Sequence, residues 1–317
     1  MVVPGFELLP SPWAALRRKR GKVSFIPFIL TAALLAGCAS GHREPFAAER
    51  AQVRQLAELE RRLQTAVAAG VHLSLSEAGR IEYEGFEAPL WVAPFRAPVE
   101  QRRLVLVTGG VHGNEPAGTA WVLELIEELA SHPERFSTTS FDLVPLVNPW
   151  GWSRDQRYNR DGRDINRDFA SFATQEARLL RGLFGSRRYD LVIDHHEDPD
   201  ASGVYLYQYA RRDRTASRKV LEAIHALGYP LEQEVKMVIL RTKDGLIDAP
   251  RWGLAYMRMT RQLSLTNYLR LEHSNLVYTV ETPTQLPLAD RLRIHRTAFE
   301  LLLAEHSAVR GSAATRR

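Results

Sequence analysis

The sequence predicts an α/β domain in three layers, with helices on both faces of a mixed, largely parallel central sheet. Two observations carry that expectation. From Arg103 onward, short apolar runs alternate with stretches of helical periodicity. Polar residues gather where the apolar runs end, which is where open α/β sheets place their sites.

In order along the chain, residues 47–69 read as an amphipathic helix, with Leu56, Leu59, Leu63 and Val67 on one side and Gly70 as its stop. Residues 73–95 read as two or three short strands, with turns at Ala78-Gly79 and Glu84-Gly85. Strands are then expected over 104–108, 141–147, 191–194, 203–209 and 276–280. Helices are expected over 116–130, 174–184, 216–227 and 288–306. Residues 240–275 are hard to read and suggest a lid or loop insertion, and the small, basic stretch 307–317 reads as a flexible tail. One catalytic domain over 47–306 follows, with no internal repeat.

The 317 residues are 45% hydrophobic and 25% charged, ordinary values for a soluble domain. The formal charge of +5 belongs to the N-terminus, where Arg17, Arg18, Lys19, Arg20 and Lys22 face only Glu7. Beyond residue 37 there remain 37 of the 42 basic and 36 of the 37 acidic residues. So near-neutral a domain gives no electrostatic case for nucleic acid. After the basic run comes the apolar segment Val23 to Leu35, too short to span a bilayer, followed by Leu35-Ala36-Gly37-Cys38. These four residues resemble the lipobox of bacterial lipoproteins. The resemblance implies a signal peptide over 1–37, acylation of Cys38, a tether over 38–46 and a location in the cell envelope. Ala39 after the cysteine points to the periplasmic face of the outer membrane. Cys38 is the sole cysteine, so an internal disulfide and a thiolate metal site are both excluded.

Four groups carry the chemistry. Gly109-Gly110-Val111-His112-Gly113-Asn114-Glu115-Pro116 joins an apolar strand to a helix, and its H-x-x-E spacing lets one imidazole and one carboxylate converge. Asn148-Pro149-Trp150-Gly151 leads to a run dense in Arg, Asn and Asp, from Arg157 to Phe169. Asp194-His195-His196-Glu197-Asp198 follows an apolar strand. Neighbouring strand residues face opposite ways, so the two histidines do not serve one metal, and Asp194 shares a face with His196. Glu281 follows the last apolar strand. Two histidines and a glutamate with an open fourth position are the pattern of catalytic zinc. Each group alone is equally at home as an ordinary turn or a solvated loop.

Together, and in this order across residues 104–283, the groups resemble the zinc carboxypeptidase family and its succinylglutamate desuccinylase and aspartoacylase relatives. The family pattern runs H-x-x-E, N-P-x-G, R-x-N-x-x-G-x-D-x-N-R-x-F, D-x-H, then a late strand with a glutamate. The resemblance implies one zinc per chain, held by His112, Glu115 and His196, with Asp164 orienting His112. It implies Glu281 as general base, Arg157 as oxyanion stabiliser, and Asn166 and Arg167 as the grip on a substrate carboxylate. The expected activity is amide hydrolysis by a carboxypeptidase or peptide amidase. An N-acyl amino acid deacylase is the alternative, and a non-catalytic peptide-binding lipoprotein a second one. A substrate-capping tyrosine has no clear counterpart; Tyr256 and Tyr268 are both candidates. The spacing from Glu115 to His196 and the H-G-N-E-P turn lean toward the desuccinylase branch.

Overall fold

The computed structural model describes residues 52–209, 213–233, 235–237 and 240–314. The expected signal peptide, Cys38 and the tether lie outside them. The described elements begin with helix α1 (Leu56–Ala69) and the hairpin β1 (Ser76–Tyr83) and β2 (Phe86–Phe95). Next come β3 (Arg103–Gly109), α2 (Pro116–Ser131), β4 (Thr139–Val144) and the short α3 (Pro149–Arg154). Then follow α4 (Gln175–Phe184), β5 (Leu191–Asp198), β6 (Tyr205–Tyr209) and α5 (Thr215–Ala226). A two-stranded ribbon, β7 (Val235–Met237) and β8 (Leu240–Arg241), precedes β9 (Leu246–Ala249), α6 (Arg251–Met259) and α7 (Leu265–Glu272). The chain closes with β10 (Val277–Pro283) and α8 (Leu288–Ala314).

Eight strands form one sheet in the order β1-β2-β4-β3-β5-β10-β6-β9. The pairs β4/β3, β3/β5, β5/β10 and β6/β9 are parallel; β1/β2, β2/β4 and β10/β6 are antiparallel. Alternating side chains supply two cores. Val105, Val107, Leu191, Ile193 and Val280 join the core under α1, α2, α5 and α8, whereas Leu106, Val192 and Val277 join the one under α4 and α7. Each such strand side chain is fully or almost fully buried, which stabilises the fold by about 1.5–3 kcal/mol apiece. The expected three-layer α/β architecture is the observed one.

Helix starts follow local chemistry. Pro116 opens α2, where its missing N–H costs nothing. Thr174 and Ser264 cap α4 and α7 by accepting from Ala177 N (3.3 Å) and Asn267 N (3.1 Å). Gly118 lets α2 lie directly on the sheet: a Cβ there would sit 2.4 Å from the His195 carbonyl oxygen.

Several expected boundaries shift. α1 begins at Leu56, because Val53 N and Arg54 N are spent on the Ser153 carbonyl (2.7 and 3.1 Å). Ala78-Gly79 is a register shift within β1 rather than a turn, while Gly85, at φ +71°, makes the hairpin. β4 stops at Val144, ahead of Pro145. α8 continues past Ser307 to Ala314, into the segment read as a tail. The stretch 240–275 holds β9, α6 and α7. Most consequentially, β5 runs on to Asp198 and β10 to Pro283, pairing to the end with Pro283 opposite Asp198. The polar groups of β5 and β10 sit on the strands themselves, not beyond them.

Candidate active site

β3 delivers the turn carrying His112 and Glu115 to the C-terminal edge of the sheet, beside β5. His112 and His196 each present Nδ1 to the Glu115 carboxylate, at 2.7 Å to Oε1 and 2.8 Å to Oε2. Their outer nitrogens are held by acids as well. His112 Nε2 lies 3.1 Å from Asp164 Oδ1, and His196 Nε2 lies 2.9 Å from Asp194 Oδ2. Asp194 is fixed in turn by the Thr108 hydroxyl, which donates at 2.5 Å. Among the described residues, His112, Glu115 and His196 are the group with metal-ligand character, their donor atoms within 4.8 Å of one another and all three buried.

This donor set fits a divalent cation. Two imidazoles with three carboxylates around them make a negative nest, and each imidazole has an outer carboxylate that fixes its tautomer and raises its basicity. The electrostatics agree. Burial disfavours charge on Glu115, but His112 and His196 outweigh it and hold the carboxyl well below its usual range. Burial likewise disfavours charge on His196, yet Asp194 and Glu115 push its pKa well above the ordinary imidazole value. Asp164 is held low against its own burial, chiefly by His112. Two histidines and one carboxylate are the ligand class of catalytic zinc.

The turn keeps its shape by close packing. A Cβ on Gly113 would lie 2.0 Å from the Gly151 carbonyl carbon, so the two glycine-containing turns touch backbone to backbone. Asn148 caps α3 by accepting from Gly151 N (2.9 Å), and its amide donates to the Arg157 carbonyl (3.2 Å). In the Arg/Asn/Asp run, Asn159 donates to the buried Glu176 (3.2 Å), and Asp168 accepts from Thr174 N (2.6 Å). These two residues brace the loop. Arg157 reaches inward to Glu115 Oε1 (3.1 Å) and Asp164 Oδ2 (3.3 Å).

A cleft of about 450 Å³ opens over this centre, lined among others by His112, Glu115, Arg157, Asn166, Arg167 and Glu281. Thus every sequence-predicted site residue within the described chain is at the cleft or hydrogen-bonded to a group there. Glu281 stands beside His196 in the parallel register of β10 and β5. Burial, with Glu115 and Asp198 nearby, outweighs the pull of His196 and Arg157 and raises its carboxyl to about 8. A dication at the neighbouring ligands would draw that value back down. Of the two candidate tyrosines, Tyr256 lines the cleft. Tyr268 packs against Phe169 and Phe172, and its hydroxyl is 3.0 Å from His273 Nε2.

Some residues carry no motif of their own. Glu197 lines the cleft while accepting from the first turn of α2 at Ala117 N (2.6 Å) and pairing with Arg291. The Tyr205 hydroxyl donates to Asp198 at 2.7 Å, next to Glu281 in the β6/β10 register. Strand periodicity and the D-x-H spacing both signalled Asp194, on the His196 face. Nothing local marks Arg291, which arrives from α8.

Comparison with known proteins agrees with the geometry. Residues 101–238 match the succinylglutamate desuccinylase/aspartoacylase catalytic domain family. Carboxypeptidase 2 of Trichophyton rubrum is 33% identical over 135 residues, covering 39% of this chain and 25% of the fungal protein. The human N-acyl-aromatic-L-amino acid amidohydrolase (carboxylate-forming) is 32% identical over 126 residues, 34% of this chain and 38% of that one. The chain therefore spans about a quarter of the fungal relative's length. Among solved structures, a protein of Shewanella amazonensis SB2B described provisionally as a metallopeptidase superposes with a TM-score of 0.65 at 21% identity, over 78% of this chain and 92% of that one. A metallo-carboxypeptidase of Burkholderia cenocepacia gives 0.60 at 16% identity, over 80% and 69%. The chain has the α/β fold of the metallocarboxypeptidases.

Proposed function

We propose that the chain is a zinc-dependent amide hydrolase of the carboxypeptidase type, acting on peptides with a free carboxylate, with one zinc per chain at His112, Glu115 and His196. The observation that carries the reading is the pairing of that braced ligand set with Glu281, one strand away and open to the same cleft. Zinc bound there supplies Lewis-acid polarisation of the scissile carbonyl and acidifies a water. Glu281 takes the proton of the attacking water and returns it to the leaving amine. Arg157, already anchored on Glu115 and Asp164, offers its guanidinium to the developing oxyanion. Asn166 and Arg167 hold the substrate carboxylate, for which the guanidinium fork is suited.

A second reading, N-acyl amino acid deacylation, is favoured by the family matched over residues 101–238 and by the likeness to the human amidohydrolase. It uses the same groups. The deciding experiment is metal analysis of the purified protein, followed by peptides and N-acyl amino acids with free or amidated carboxylates. Hydrolysis that needs the free carboxylate and is lost on chelation supports the proposal, and preference for peptides over acyl amino acids selects the carboxypeptidase. A zinc-loaded protein that binds these ligands and turns over none of them would leave a binding lipoprotein. We further propose anchorage through acylated Cys38 at the periplasmic face of the outer membrane. Cys38→Ser should abolish fatty-acid labelling and membrane retention, and continued labelling would refute the anchor.

A further inference from the structure

The floor of the cleft is a chain of four hydroxyls. Ser264 Oγ lies 3.1 Å from Thr266 Oγ1, Thr266 Oγ1 lies 2.7 Å from the Tyr209 hydroxyl, and that hydroxyl lies 3.0 Å from Thr279 Oγ1. All four side chains are buried, and all four line the cleft together with Asn267. Four O–H donors share three mutual hydrogen bonds, and Ser264 Oγ already accepts from Asn267 N at 3.1 Å. At least one O–H therefore has no acceptor within the cluster. That O–H is available to an acceptor in the cleft, water or a ligand, and leaving it buried and unpaired costs about 1–3 kcal/mol.

The position of this floor fixes what reaches it. Asn166 Oδ1 accepts from Leu265 N at 2.9 Å, so a residue assigned to the carboxylate grip is tied to the segment bearing Ser264 and Thr266. Thr279 precedes Glu281 by two residues, on the same face of β10. The floor thus lies between the grip and the general base. The apolar side chains of Ala249, Leu254 and Met257 line the same cleft. None of the five floor residues is charged.

Resting on the function proposed above, we propose that this floor receives the side chain of the substrate residue bearing the free carboxylate. It selects a side chain with an apolar stem and an uncharged hydrogen-bonding tip, such as the phenol of tyrosine or the amide of glutamine. A phenylalanine ring fills the walls but leaves the floor's donor unpaired. A lysine ammonium would lose its hydration without meeting a carboxylate on the floor.

The test uses the full zinc-loaded chain and two independent readouts. Calorimetry measures binding of N-acetyl-tyrosine, N-acetyl-phenylalanine, N-acetyl-glutamine and N-acetyl-lysine, and kinetics follow matched peptides ending in the same residues. Tyrosine should exceed phenylalanine by roughly tenfold in both readouts, glutamine should be accepted, and lysine should rank last. Thr266→Val, of equal shape but without the hydroxyl, cuts the chain of hydroxyls in the middle and should shift the tyrosine-to-phenylalanine ratio several-fold from its wild-type value. Ser264→Ala supplies a second variant should Thr266→Val fail to fold. Equal or better use of phenylalanine or lysine, or an unchanged ratio in a folded variant, overturns the proposal. Selective binding with no hydrolysis keeps the floor and overturns the reaction; hydrolysis without selectivity does the reverse.

Discussion

His195 and His196 are neighbours in sequence and occupy two different chemical worlds. His196 faces the cleft side of the sheet, between Glu115 and Asp194, where two carboxylates draw it toward the charged form. His195 faces α2 and α8, in a buried row of neutral partners. Trp121 Nε1 donates to its Nε2 at 3.2 Å, its Nδ1 is 3.0 Å from His295 Nδ1, and His295 Nε2 is 3.4 Å from the Thr282 hydroxyl. Trp121 can only donate, so a consistent assignment puts the His195 proton on Nδ1 and the His295 proton on Nε2. Burial pushes both pKa values down, His295 to about 3. The same side chain is thus drawn toward charge or away from it according to which face of one strand it takes.

The sharpest way to break that contrast is substitution of each in turn. His196→Ala should abolish both zinc binding and turnover, whereas His195→Ala should still bind one equivalent, as read by metal analysis. Zinc lost from the His195 variant and kept by the other would invert the comparison. Next in size, Glu281→Gln should keep zinc and fold but lose about 10²–10⁴ in kcat, since the amide cannot take the proton. An active Glu281→Gln enzyme would sink the mechanism. His195→Ala should then cost roughly 2–4 kcal/mol of stability in denaturant titration, from the cavity and from the orphaned Trp121 N–H. The smallest effect is one of sign. In the chelated protein, His196 has a raised folded pKa, so its stabilisation is full below about 6.5 and is lost as pH rises through the folded value. His195 is depressed, so its contribution is full above about 6.5 and is lost as pH falls. Wild type minus His196→Gln should therefore lose stability with rising pH, and wild type minus His195→Gln should gain it. Slopes of the same sign would refute the two-environment account.

How much of this was legible follows from what kind of signal each feature leaves. Strand periodicity alone placed His195 and His196 on opposite faces and Asp194 with His196, and the structure has that arrangement. The spacing of His112 and Glu115 on a glycine-rich turn likewise needs only local geometry. Hydropathy failed at His195–Asp198 and at Glu281–Pro283, because a strand end rich in polar groups looks like a loop to any scale that counts apolar residues. The hydroxyl floor was invisible for another reason. Tyr209, Ser264, Thr266 and Thr279 come from three separate elements and meet only through tertiary packing. The same holds for Arg54 and Arg291, whose partners lie 59 to 101 residues away in sequence.

Arg54 bears on how the protein can be trimmed. Its guanidinium donates to the carbonyls of Trp152 (2.8 Å) and Gly113 (3.3 Å) and pairs with Asp155 (2.7 Å), while Val53 N and Arg54 N hold the Ser153 carbonyl. Gly113 separates the first ligand residue from the second by only a few bonds. The approach to the first helix is therefore a splint laid across the back of the ligand turn. A protein cut back to Leu56 would keep the three ligand residues and every core residue among those described, yet that turn would lose the brace that Val53 and Arg54 supply. Its zinc should exchange faster with a chelator than in a chain that keeps Val53 and Arg54.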